Sequence, residues 1–336
     1  MDYIAWASAR ATQATVLDAT VPRLRGLVEE SRSSLAGEGP VLLGIGASLA
    51  AAGPAVWHLR ERGIDAVRLG AGDVPLPLPP GPRRVIAISQ SGRSTETLAA
   101  LDAVPAELRG AVVNRTPSPV AALVHHPITL GNLDDSYAST IGFTATLVSL
   151  GMIAEAWDGG SVDEEWAGIG RVAAGVEERL TRELRRAARF FRDAPSGDFV
   201  GQAPSAGLAE AGALLFREVA RIPSSAMSTR QYLHGAMESA GAGVHVLLGE
   251  EREEAMSRTL TGAGHRVVLV TTLDAEPSEL RAVLRIPDLP VLRRAVVEAV
   301  LMQALVEHVA AERGVDIEEF VFHNDDTKVA SPQVQA

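Results

Sequence analysis

The chain has 336 residues, 46% hydrophobic and 22% charged, which is enough apolar material for two ordinary domain cores and excludes a disordered chain. A formal net charge of −11 argues against a nucleic-acid partner, whose phosphates need a broad basic face, but leaves room for a local anion site. Cysteine is absent, which removes disulfides, thiolate metal sites and cysteine nucleophiles, and aromatics at 4% beside abundant Ala, Val, Leu and Gly favour helices packed on sheets.

Met1–Thr20 scatters Asp2, Arg10 and Asp18 among short apolar stretches and lacks the charged start and continuous apolar core of a signal peptide. An opening helix is expected over Val21–Leu35, then a short strand over Pro40–Gly46 ending in glycine, and a small-residue helix over Ser48–Arg62. Ala66–Leu69 and Arg84–Ser89 read as strands, and Ser94–Val104 has helical spacing. Gly110–Asn114 and Pro127–Leu130 are short apolar runs around a helical Ser118–Val124, followed by a long helix over Thr140–Trp157. That helix carries Thr, Ser, Gly and Glu, so it is no membrane span; a soluble cytoplasmic protein with no membrane partner is expected.

The Gly-, Ser- and acid-rich Asp158–Glu164 closes the first half and an amphipathic helix over Val172–Arg192 opens the second, giving domains at 1–165 and 166–336. Asp198–Gly201, Val244–Leu248, His265–Thr271 and Ala282–Ile286 then read as strands, and Ser205–Arg221, Arg252–Gly262 and Leu289–Arg313 as helices. Such alternation predicts an α/β fold in which each half is a parallel sheet flanked by helices, and the restart of the pattern points to an internal duplication.

Between a buried strand and a helix lies Ser89-Gln90-Ser91-Gly92-Arg93-Ser94-Thr95-Glu96-Thr97. Backbone N–H groups at the helix start, the hydroxyls of Ser89, Ser91, Ser94 and Thr97, and the close approach allowed by Gly92 suit a phosphate. The alternative is that Ser94 only caps the helix and Thr97 lies on its exposed face.

VIAISQSGRSTETLAAL (85–101) resembles the signature of the sugar isomerase (SIS) domain family, with GIGASLAAA (44–52) similar to its first strand–loop–helix and YASTIGFTATLVSLGMI (137–153) to its last helix. In the second half, EAGALLFREV (210–219) and QYLHGAMES (231–239) resemble the isomerase portion of glucosamine-6-phosphate synthase and its relatives. The resemblance implies two tandem SIS-type doubly wound domains. It also implies a sugar-phosphate pocket lined by Ser48, Ser89, Gln90, Ser91, Ser94 and Ser139. It places Glu218 on the family's proton-transferring glutamate, His234 on the histidine that assists ring opening in the neighbouring subunit of a homodimer, and Lys328 on a tail lysine able to form a Schiff base. No metal or organic cofactor is needed.

Elementary chemistry bears on each. Leu214, Leu215, Phe216 and Val219 would desolvate Glu218 and raise its pKa, unless it is a surface carboxylate paired with Arg217 or Arg221. His234 beside a glycine suits a structural hydrogen bond equally, and Lys328 near the terminus would by default be solvated. Arg93 replaces an acid of the synthase and either strengthens phosphate binding or points to solvent. Two further polar residues of the synthase helix are here Ala211 and Leu215; Glu210 points about 100° away from Ala211 on a helix, and Gln231 stands where an acid is expected. The chain has neither the length nor the cysteine for a glutaminase domain. The expected function is therefore an isomerase, or a deaminase or deglycase, acting on a phosphorylated sugar or aminosugar by proton transfer between C1 and C2; the alternative is a non-catalytic sugar-phosphate sensor.

Overall fold

The structure, a computed structural model, describes residues 3–74, 83–322 and 325–329. Helix α1 (Trp6–Glu30) starts well before the expected Val21 and runs through Pro22. Proline favours the first position of a helix, so Pro22 reads as a beginning when it is not one. The upstream stripe is also hidden because Gln13 and Thr20 are buried as polar residues. The Gln13 amide donates to the Thr140 carbonyl at 3.2 Å and to Gln303 Oε1 at 2.8 Å, which satisfies it inside the core.

The first half continues through β1 (Val41–Gly44), α2 (Ala47–Glu61), β2 (Val67–Gly70), β3 (Val85–Ser89), α3 (Thr95–Asp102), β4 (Arg109–Val113), α4 (Pro119–Ala122), β5 (Ile128–Thr129) and α5 (Ile141–Ala156). Its strands form one parallel sheet in the order β2-β1-β3-β4-β5. The central strand β3 is buried at every residue, as expected for a parallel strand covered on both faces.

In the second half the single helix expected over Val172–Arg192 is two, α6 (Ile169–Arg179) and α7 (Thr181–Arg189). They separate at Leu180; α6 packs against both α1 and the last helix of the chain, and α7 against that last helix. Then follow β6 (Gly197–Gly201), α8 (Ala206–Val219), β7 (Ser224–Ser228), α9 (Thr229–Leu233), β8 (Val244–Leu248), α10 (Glu251–Gly262), β9 (Arg266–Thr271), β10 (Arg281–Arg285) and α11 (Val291–Arg313). The strand β7 escapes sequence reading because Ser-Ser-Ala-Met-Ser has no apolar run; it lies at a sheet edge with one neighbour, and its Ser225 hydroxyl donates to Asp198 at 2.6 Å.

The second sheet is also parallel, and its order β7-β6-β8-β9-β10 repeats that of the first. The two sheets therefore share one strand order. In such a sheet the winding reverses between the first and third strands, and the crevice beyond their carboxyl ends is where ligands bind. The loop after β3 and the start of α2 flank that crevice in the first half.

One hydrophobic core runs through both halves. Helix α2 crosses α8, its topological counterpart, so closely that a Cβ on Gly53 would meet Gly207 Cα at 3.0 Å, and one on Gly207 would run into the Ala50 carbonyl. The Arg68 guanidinium on β2 grips both carboxylate oxygens of Glu210 on α8, one at 2.6 Å, across the same seam. Among the described residues no helix is long and apolar enough to cross a membrane.

A methyl group at this crossing should be costly because the obstacle is backbone. Gly207→Ala is expected to lose about 1–3 kcal/mol in urea unfolding. Gly175→Ala in α6, where a Cβ meets nothing within 4 Å, is expected to gain about 0.5–1 kcal/mol. Equal effects of the two would remove the crossing as a constraint.

Candidate active site

The loop after β3 turns on Gly92, whose φ of +63° suits glycine and whose added Cβ would strike Ser118. Ser89 is buried; its hydroxyl accepts the Gly92 N–H at 3.0 Å and lies 3.3 Å from Ser94 Oγ. The Arg93 N–H donates to Ser91 Oγ at 3.2 Å. Ser94 stands at the N-cap of α3, yet its side chain makes no capping bond and faces Ser89 instead, so capping alone does not account for it. Thr97 is not on the exposed face of α3. It is 1% exposed, on the helix's buried side, with no partner for its hydroxyl among the described residues.

Gln90 donates to Thr146 Oγ1 at 2.8 Å and rests against Gly142, which ties the loop to α5. Ser48, half-buried, lies in the first turn of α2. Sequence reading missed Asp135. Its buried carboxylate accepts from the N–H groups of Ser136 at 3.0 Å and of Thr140, Ile141 and Gly142 at 2.9 Å each, and from the hydroxyls of Thr140 at 2.9 Å and Ser139 at 2.6 Å. A fixed anion thus fills the positive end of α5 and orients Ser139. Its signal is faint because Asp135 lies five residues ahead of Thr140, outside the spacing of an ordinary cap.

Ser139 and Ala47 of the first half share a cleft with Ala211, Leu215 and Glu218 of α8 and Gln303 of α11. Glu218 lines this cleft; the residue as a whole is exposed, yet the protein around its carboxyl takes enough water from it to push it up to about 7. The arginines that flank it are engaged elsewhere: Arg217 Nε donates to the Ser224 carbonyl at 2.7 Å, and Arg221 pairs with Glu319 at 2.9 Å. Among the described residues Glu218 therefore has no ion pair. Ala211 and Leu215 line the same cleft as apolar surface, and Glu210, held by Arg68, does not replace them.

His234 is exposed at the end of α9 and does not line the cleft. Its helix is pinned through the buried Tyr232, whose hydroxyl lies 3.0 Å from His245 Nδ1. Lys328 forms an antiparallel bridge with Ser94, and Thr95 Oγ1 donates to the Asp326 carbonyl at 3.1 Å, which seats the C-terminal segment on the β3 loop. Two groupings result. Ser94, beside Ser89, pairs with Lys328; Ser139 and Glu218 line one cleft; His234 joins neither.

The equivalent crevice of the second half is filled by the chain's own charges. After β8, the Glu250 carboxylate accepts from the hydroxyls of Thr271 at 2.9 Å and Thr272 at 2.8 Å and from Arg294. Arg294 Nε also donates to the buried Glu298 at 2.7 Å.

No family model matches the chain. A glutamine–fructose-6-phosphate aminotransferase (isomerizing) of Gloeobacter violaceus is 28% identical over 259 residues, spanning 70% of this chain and 42% of that protein. The C-terminal domain of glucosamine-fructose-6-phosphate aminotransferase from Francisella tularensis superposes with a TM-score of 0.78 at 18% identity, covering 94% of this chain and 98% of that one. In sequence and in fold this chain is similar to the sugar isomerase (SIS) portion of these aminotransferases. The same fold recurs in a glucosamine-6-phosphate deaminase from Thermotoga maritima, with a TM-score of 0.68 at 17% identity over 95% of this chain and all of that one. The match spans less than half the length of the aminotransferase.

The raised Glu218 pKa has a definite sign in stability. Below its ordinary value of 4.5 the carboxyl is protonated in both folded and unfolded chains; between 4.5 and about 7 only the unfolded chain ionises, so stability falls as pH rises. Relative to Glu218→Gln, the native protein should lose stability across that window and show a constant deficit above it, measured by urea unfolding at several pH values. A gap independent of pH would mean that the carboxyl is not desolvated.

Proposed function

We propose that this protein is an enzyme that moves a proton between C1 and C2 of an open-chain keto- or aminosugar phosphate, by aldose–ketose isomerisation or by deamination or deglycation. The observation that carries this reading is Glu218, an unpaired carboxyl pushed up to about 7 by desolvation, which lines with Ser139 a cleft built by both halves. A group poised near neutrality serves as base and acid in turn, which a proton shuttle requires.

In this reading the substrate phosphate lies in the β3 loop among Ser89, Gln90, Ser91 and Ser94, with Ser48 and Ser139 bordering it. The Glu218 carboxylate takes the proton from C1. The C–H electron pair becomes the C1=C2 bond of an enediol or enolamine as the π pair of the C2=O or C2=N group moves onto its heteroatom, which takes a proton from water. The same carboxyl then returns its proton at C2 while the C1 hydroxyl gives its proton to water and its O–H pair forms the C1=O bond. Lys328, the one lysine of the chain, condenses with the ketose carbonyl with loss of water or donates a hydrogen bond to it. Exposure of His234 away from the cleft fits a homodimer in which His234 of the partner subunit completes the site and assists ring opening.

A panel of hexose 6-phosphates, their 2-amino derivatives and fructosamine phosphates, followed for isomer, ammonia or amine release, tests the reading. Glu218→Gln should lower kcat by about a thousandfold while calorimetric binding persists. Full turnover in that variant sinks the assignment, and tight binding by the native protein without any product replaces the enzyme with a sensor. Mixing Glu218→Gln with His234→Ala subunits should restore about a quarter of native activity, since half of the random dimers regain one intact site; no recovery would end the shared-site arrangement.

A further inference from the structure

The residue after the turning glycine of the β3 loop is neither aimed at solvent nor free for an anion. The Arg93 carbonyl accepts the Val329 N–H at 3.0 Å, while its guanidinium donates to the Val329 carbonyl through Nε at 2.7 Å and through Nη2. One side chain and its own backbone thus take both main-chain groups of a single tail residue. The flanking contacts, Ser94 opposite Lys328 and Thr95 Oγ1 on the Asp326 carbonyl, extend the same antiparallel pairing.

Register is what this pairing controls. Residues directly opposite each other in an antiparallel pair project their side chains to the same face, and a slip by one residue sends a side chain to the other face. Ser94 projects toward Ser89, into the loop, so pairing with Ser94 sends Lys328 to the loop side. The two N–H groups that Arg93 directs at one carbonyl form a planar, charge-assisted clamp that only the Val329 register satisfies.

We propose that Arg93 is a positioning residue that locks the tail in the register delivering Lys328 to the phosphate loop. This rests on the proposed reaction only for the use made of Lys328; the locking itself does not depend on it. A guanidinium committed to Val329 is not left free as a phosphate ligand.

Because Lys328 is the one lysine, lysyl endopeptidase cuts the chain once, releasing residues 329–336, and the rate of that cut reports tail docking directly. The expected result is cleavage about tenfold faster in Arg93→Ala than in the native protein, with Arg93→Gln intermediate because one N–H donor remains. Thr95→Val, which leaves Arg93 and its backbone intact, should give a smaller acceleration in the same direction. Borohydride trapping of Lys328 by fructose 6-phosphate should fall about tenfold in Arg93→Ala, while affinity for inorganic phosphate stays within about twofold. Equal cleavage rates in the native protein and all three variants overturn the proposal, as does a loss of phosphate affinity in Arg93→Ala that matches the loss of trapping. If the native protein is neither trapped nor active while the cleavage rates still differ, the lock stands and the proposed reaction falls.

Discussion

The site depends on how closely two helices approach. Helices α2 and α8 hold equivalent places in the two halves, each following the first strand of its sheet, and they meet where Gly53 and Gly207 bring backbone against backbone. Any larger residue at this seam would wedge α8 away from the first half. The Arg68–Glu210 fork beside it resists sliding of the pair. With the near end of α8 held in this way, its far end brings Glu218 to Ser139 and Ala47. The seam also explains why Glu210 cannot serve the cleft: its carboxylate is part of what holds the halves together.

A second constraint is the placement of negative charge. Open α/β folds offer anions several positive ends, and this chain supplies its own carboxylates at two of them. Asp135 occupies the start of α5 with six donors, and Glu250 with Arg294 and Glu298 occupies the second crevice. The β3 loop is built differently, with the hydroxyls of Ser89, Ser91 and Ser94 and no carboxylate among the hydrogen bonds that shape it. An incoming phosphate would meet donors there and internal anions at the other two places. Electrostatics thus separates two sheets of the same topology into one proposed binding half and one supporting half.

The cleft itself is less polar than the resemblance to the synthase led one to expect. Ala211 and Leu215 line it as apolar surface, and desolvation by the surrounding protein is the physical cause of the raised Glu218 pKa. The tail contributes through main-chain pairing with the β3 loop, to which the side chains of Arg93 and Thr95 add their own bonds.

The sequence by itself determined what short-range chemistry controls. Apolar runs such as Val85–Ser89 and Val244–Leu248 could only be buried parallel strands, and the Ser-Gly-Ser-Thr stretch after the first of them marked the loop. Where burial is polar, that logic gave out. Gln13 and Thr20 concealed the first turns of α1, Ser-Ser-Ala-Met-Ser concealed β7, and Asp135 lay outside cap spacing. Tertiary structure alone decided which charges pair: that Arg217 and Arg221 turn away from Glu218, that Arg68 takes Glu210, and that Arg93 holds Val329. Those partners are distant in sequence or equally near to several candidates, and a charge chooses among them by where packing of the core leaves it, which no local pattern records.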